Sequence, residues 1–201
     1  MNSDTYSCFV DLEKNEDQAN FNIKCKMENR SEIYAIMAPH GGKIEQGTTE
    51  ISIAIAREDL SLYIFNGNKP KNNGTLHITS SRFDEPQCEK ILENVQTVLA
   101  IHGAKDPETE PKERVWVGGN LGKIFETHLI ETLSSLELCI EINSNLLGEN
   151  PKNICNRGIS QRGMQLELTK SLRDRLNMDK EFLEHFSDSV RRAMMLAYPS
   201  S

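Results

Sequence analysis

Two short apolar runs, Ile33-Tyr34-Ala35-Ile36-Met37 and Thr97-Val98-Leu99-Ala100-Ile101, each give way to a histidine followed by glycine, at His40-Gly41 and His102-Gly103. A continuous apolar run of this length fits a strand buried on both faces, and such strands belong to parallel sheets covered by helices. Amphipathic stretches lie between such runs. Residues 48–58 read as a helix opened by a Thr cap, and 84–95 as a helix with Pro86 in its first turn. Leu121, Phe125, Leu129 and Leu133 recur at helical spacing, as do Phe182, Phe186, Val190 and Met194 within 179–198. Further strands are expected at 62–65, 76–79, 114–117, 138–142 and 164–169, with an exposed loop at 104–114. The pattern is α/β: one domain over residues 1–201, a three-layer α/β/α arrangement with a mixed open sheet.

Composition narrows the function classes. The 201 residues carry 23 Lys+Arg against 30 Asp+Glu, a formal net charge of −7, with no basic tail or stripe. That balance speaks against nucleic acid, and no apolar run is long enough for a spanning helix, so no membrane is expected. The five cysteines are scattered without a CxxC pair, which fits reduced thiols rather than a disulfide framework or a Cys-zinc site. The first residues show neither a charged nor an apolar leader region, so no signal peptide and synthesis in the cytoplasm are expected. A chain of this length buries enough surface to stand as a monomer.

The chemistry is expected at the carboxyl ends of the strands, where open α/β sheets bind ligands. His40, Glu45 five residues on, and His102 form the open three-ligand set that a catalytic zinc uses, although the spacing is not a sharp motif such as HExxH. A lone histidine is more often a satisfied core or surface residue, and His128 and His185 read that way. In Gly163-Met164-Gln165-Leu166-Glu167-Leu168-Thr169, alternation puts Met164, Leu166 and Leu168 on one face, with Gln165, Glu167 and Thr169 on the other. A carboxylate there is either desolvated, with a pKa raised toward general-base work, or faces water on an edge strand. His77 alternates away from Leu76 and Ile78 and faces the same cleft or none. Asp84 reads as a helix cap, and Arg157 as an oxyanion or carboxylate grip or a surface ion pair.

Taken together, Ala38-Pro39-His40-Gly41-Gly42-Lys43-Ile44-Glu45-Gln46-Gly47-Thr48, Leu76-His77-Ile78-Thr79-Ser80, Arg82-Phe83-Asp84-Glu85-Pro86, Ile101-His102-Gly103, Asn153-Ile154-Cys155-Asn156-Arg157-Gly158 and Gln165-Leu166-Glu167-Leu168 resemble the poly-γ-glutamate hydrolase family, especially its bacteriophage-encoded members. The resemblance covers most of the chain, with the blocks in the family's order. It implies a zinc carboxypeptidase-like fold and one Zn2+ per chain held by His40, Glu45 and His102. It also implies Glu167 as the catalytic carboxylate and Asn156-Arg157 as the pair that holds a carboxylate. The His40-to-Glu45 spacing is longer than the carboxypeptidase HxxE, and Asn156-Arg157 follows the second metal histidine instead of preceding it.

The implied activity is metal-assisted hydrolysis of γ-glutamyl amide bonds in poly-γ-glutamate at internal positions, with Glu167 as general base and Arg157 assisting at the oxyanion. Lys43, His77, Arg82, Asn156 and Arg162 are expected at the substrate, Lys43, Arg82, Arg157 and Arg162 forming a basic groove for its carboxylates. A carboxypeptidase or N-acyl-amino-acid amidohydrolase acting on small substrates, and a noncatalytic phage interaction protein, remain alternatives. A phage origin would imply release by host-cell lysis, which brings the enzyme to an extracellular polymer.

Overall fold

The computed structural model describes residues 4–199. Its centre is a seven-stranded sheet. The strands are β1 (Phe21–Lys26), β2 (Ser31–Gly42), β3 (Leu60–Gly67), β4 (Thr97–Gly103), β5 (Arg114–Gly118), β6 (Cys139–Ile142) and β7 (Met164–Leu168), in the order β1-β3-β2-β4-β7-β5-β6. The run β3-β2-β4-β7 is parallel; β1 joins β3, and β5 joins β7, in the antiparallel sense, so the sheet is mixed. The helices are α1 (Phe9–Asn15), α2 (Thr48–Ala56), α3 (Pro86–Leu92), α4 (Gly122–Thr132), α5 (Lys170–Met178) and α6 (Lys180–Ala197).

Strand alternation divides the core in two. Ile36, Ala38, Leu62, Ile64, Leu99, Ile101 and Leu166 pack on one side against α2, α4, α5 and α6, including Phe182, Phe186, Val190 and Met194 of α6. Ala35, Met37, Tyr63, Phe65, Val98 and Ala100 pack on the other, against α1, α3 and the segments around Ile78, Phe83 and Ile154. Each buried Val, Leu, Ile, Phe or Met side chain among these stabilises the fold by ~1.5–3 kcal/mol.

Several boundaries depart from the sequence pattern. β2 runs through Pro39 to Gly42, with a register irregularity between Ala38 and Gly41. The cap of α2 is Gly47 in a left-handed conformation, while the Thr48 hydroxyl donates to the Glu45 carbonyl. Residues 76–79 are not a strand, because Leu76 closes a 3-10 turn and the Ile78 carbonyl and Thr79 N are bonded to the His40 and Asp4 side chains. Glu85, not Asp84, caps α3, since its carboxylate accepts from Cys88 N; Asp84 instead accepts from Phe9 N.

The connections make β2 a switch point. The chain leaves β2 through α2 on one face to β3, then returns through α3 on the other face to β4. A crevice therefore opens beyond the carboxyl ends of β2 and β4.

Candidate active site

His40 ends the buried part of β2, and a tight turn carries the chain on to Glu45. That turn is closed by Glu45 N donating to the His40 carbonyl at 2.9 Å, with Gly42 at φ +63°. The turn folds Glu45 back beside His40, which is why five residues rather than three separate them. His102 is the penultimate residue of β4, and its cross-strand partner on β7 is Glu167. Two imidazole nitrogens and the two oxygens of one carboxylate converge. His40 Nδ1 lies 3.1 Å from Glu45 Oε1 and 3.2 Å from His102 Nδ1, and His102 Nδ1 lies 3.7 Å from Glu45 Oε2. Both imidazoles are buried, and their far nitrogens are engaged: His40 Nε2 donates to the Ile78 carbonyl at 2.8 Å, and His102 Nε2 lies 3.4 Å from the Ser80 hydroxyl.

Lone pairs and a carboxylate facing one another at these distances call for a cation between them. Ligands at 2.0–2.1 Å around a tetrahedral zinc stand about 3.3 Å apart, so the donor set fits. His77 offers another nitrogen, since donor atoms of His40, Glu45 and His77 also fall within 4.8 Å of one another. His102 approaches the second Glu45 oxygen, Oε2, and His77 also stacks on His40 with ring centroids 4.0 Å apart.

Electrostatics follow the geometry. Burial pushes the Glu45 carboxyl up, but His40 and His102 outweigh it and hold the group well below the carboxylate range. Burial pushes His102 down, and its contact with Glu45 more than reverses that. Glu167 is pushed up to about 7 by desolvation. Its carboxylate makes no hydrogen bond or ion pair to another described residue. β7 is an interior strand between β4 and β5, which overturns the water-facing edge reading.

A cavity of about 470 Å³ holds His40, Glu45, His77, Ser80, His102 and Glu167, walled on one side by residues 145–150. Two further cavities adjoin it. One of about 440 Å³ shares Glu45 and contains Lys43 and Lys105; another of about 430 Å³ shares Ser81 and contains Arg82 and Lys152. Lys43, Lys105 and Lys152 have no carboxylate partner among the described residues. A cavity of about 480 Å³ near Cys25, Arg30 and Glu58 lies at the other end of the strands, away from the histidines.

Three expected site residues are elsewhere. Arg157 is held by the Phe83 carbonyl at 2.6 Å and by Glu89, so its guanidinium is committed to the α3 side and does not line the cleft. Asn156 is buried and spends its amide on the Gly148 and Asn150 carbonyls while accepting from Asn120 N, so it props the cleft wall rather than meeting substrate. Arg162 precedes β7 at the end opposite Glu167. The basic groove is thus split: Lys43 flanks the cleft on one side, Arg82, bonded to Asp4, and Arg157, bonded to Glu89, line the cavity on the other, and Arg162 lies away from both. Cys88 and Cys155 are buried with thiols pushed up by desolvation, which suits inert packing.

Two residues emerge only in three dimensions. Arg173 donates to the carbonyls of Gln46, Ala104 and Leu168, one beyond each of β2 and β4 and the last at the end of β7. Asp4 accepts from His77 Nδ1 and Thr79 N, both at 2.7 Å, and from Arg82.

The poly-gamma-glutamate hydrolase family model matches residues 6–195. The chain belongs to this family. UPF0714 protein YmaC of Bacillus subtilis (strain 168) is 37% identical over 174 residues, an alignment covering 85% of this chain and 71% of YmaC. A bacteriophage poly-gamma-glutamate hydrolase superposes with a TM-score of 0.85 at 29% identity, over 95% of this chain and 96% of that one. YndL in a zinc-free apo form matches with a TM-score of 0.85 at 28% identity, over 98% and 100%. This family member is a hydrolytic enzyme with a mixed-sheet α/β fold. No helix of the described residues is long and apolar enough to cross a membrane.

Proposed function

We propose that this hydrolase cuts internal γ-glutamyl amide bonds of poly-γ-glutamate, with one zinc held by His40, Glu45 and His102 and with Glu167 as general base. The observation that carries this reading is the convergence of His40 Nδ1, His102 Nδ1 and the Glu45 carboxylate beside an unpaired, desolvated Glu167. Zinc in such a site supplies a nucleophile near neutral pH and Lewis acidity toward a carbonyl.

The chain's own residues supply the rest. Glu167, whose carboxyl titrates near neutrality, takes a proton from the attacking water and returns one to the leaving amine. Ile78 O and Ser80 Oγ fix the two imidazoles in orientation. The central cavity contains no Lys or Arg, whereas the adjoining cavities carry Lys43 and Lys105 on one flank and Arg82 and Lys152 on the other. A polyanion threaded through would find cations on both sides of the scissile bond, an arrangement suited to cutting within a chain. At physiological salt the screening length is ~8 Å, so these local charges matter more than the net −7 of the protein.

The test is incubation of the zinc-loaded protein with purified poly-γ-glutamate, with and without chelator, followed by sizing of the products. The expected result is a rapid fall in mean polymer length that the chelator abolishes. Accumulation of free glutamate from otherwise full-length polymer overturns the internal-cleavage reading, and unchanged polymer overturns the substrate.

A further inference from the structure

The segment 77–82 reaches all three clustered histidines. It supplies His77, which stacks on His40; the Ile78 carbonyl, which accepts from His40 Nε2; and the Ser80 hydroxyl beside His102 Nε2. Yet it has little regular structure of its own, only a 3-10 turn at Ser80–Arg82 between two irregular stretches. Something outside the segment has to hold it.

Asp4 is that residue. It stands 73 positions before His77, and its carboxylate is almost fully buried, with 3% side-chain exposure. Oδ1 accepts from His77 Nδ1, while Oδ2 accepts from Thr79 N and from the Arg82 guanidinium. All the partners are donors, so the pocket suits a group with two acceptor oxygens. An amide in its place would turn an NH2 against a donor. We propose that Asp4 is a positioning residue of the metal centre. By clamping 77–82 it sets the orientation of the His40 and His102 imidazoles and keeps His77 in the cleft. The inference rests on the zinc-site reading above. It adds that the site is completed from the amino-terminal segment, outside the sheet that carries the ligands.

The test uses the full chain with Asp4→Asn, Asp4→Glu and a control, Tyr6→Phe. Tyr6 fastens the same amino-terminal segment through a 2.8 Å bond to Glu16 and makes no hydrogen bond to 77–82 among the described residues. Zinc affinity is measured by chelator competition, kcat and KM on poly-γ-glutamate, and the melting temperature on zinc-free protein. Residues that orient metal-bound histidines typically contribute 10–100-fold to metal affinity or activity. Asp4→Asn is expected to weaken zinc binding by about 10–100-fold and to lower kcat, with KM within about twofold. Asp4→Glu is expected to recover part of both. Tyr6→Phe is expected to lower the melting temperature without changing zinc affinity. If Asp4→Asn binds zinc and turns over as the wild type does, Asp4 merely fastens the amino terminus. If Tyr6→Phe loses zinc affinity equally, general anchoring is responsible, and the proposal fails. A wild-type protein that binds zinc but leaves the polymer intact sinks the substrate reading alone; the affinity comparison still tests Asp4.

Discussion

Glu141 and Glu167 flank the same tryptophan and have opposite characters. Trp116 on β5 is the register partner of Glu141 on β6 and of Glu167 on β7, so the three side chains share one face of the sheet. Glu141, 43% exposed, accepts from Trp116 Nε1 at 2.8 Å and from Arg114 at 3.0 Å, and these bonds hold its carboxyl below the ordinary range. Glu167, two strands further into the sheet, receives neither donor and is pushed up to about 7 by desolvation. One residue type on one surface becomes a structural acceptor where donors meet it, and a proton carrier where they do not.

The sharpest way to break this contrast is to neutralise each acid. Glu167→Gln is expected to retain zinc and fold but to lose at least about a hundredfold in kcat, while Glu141→Gln stays within about twofold. Near-normal turnover of Glu167→Gln, measured by polymer shortening, removes Glu167 from the chemistry. The opposite face of β7 provides the next test. Leu166 is fully buried in the helical core, and Leu166→Ala is expected to cost 2–5 kcal/mol in denaturant unfolding, with kcat per folded molecule little changed.

Smaller effects sharpen the comparison. Trp116→Phe keeps an aromatic ring beside Glu167 but deletes the donor to Glu141. Activity should persist, with a stability loss of about 0.5–1.5 kcal/mol. The sign with pH follows from the lowered Glu141 pKa. Its contribution is complete above the unfolded value near 4.5 and is lost as pH falls through the lower folded value, so the acid limb of the stability curve should flatten in Trp116→Phe. An unchanged acid limb would show that Arg114 alone sets the Glu141 environment. Arg157→Gln should have the least effect on catalysis, with kcat within about twofold and a modest loss of stability from the broken Phe83 and Glu89 contacts. A hundredfold loss would return Arg157 to the mechanism.

The parts of the site that were legible in the sequence lie at the ends of strands with strong local patterns. His40 and His102 follow continuous apolar runs, and Glu167 interrupts an alternation, so position along the chain predicts position at the sheet edge. What escaped depends on contacts between distant segments. Asp4 meets His77 across 73 residues and Arg173 meets Gln46 across 127, and no local pattern marks either pairing. Arg157 misleads for the same reason, because its partners, Phe83 and Glu89, lie on another element. Among the elements, β1 and α1 escape because Phe21–Lys26 alternates lysine and asparagine with its apolar residues on an edge, and α1 is only seven residues long. The strand expected at 76–79 fails because its backbone serves His40 and Asp4 instead of a neighbouring strand.

Burial pushes the Arg173 guanidinium down from its usual range, with Glu45 and other nearby acids opposing that, and the group ties the loops beyond β2 and β4 to the end of β7 through hydrogen bonds to carbonyls. The hydrogen bonds of this brace are all to backbone carbonyls and are formed in the metal-free protein. Loading the centre should therefore resemble simple capture by a ready-made cage rather than coupled folding, with an uptake rate that rises in proportion to free zinc and little change in circular dichroism.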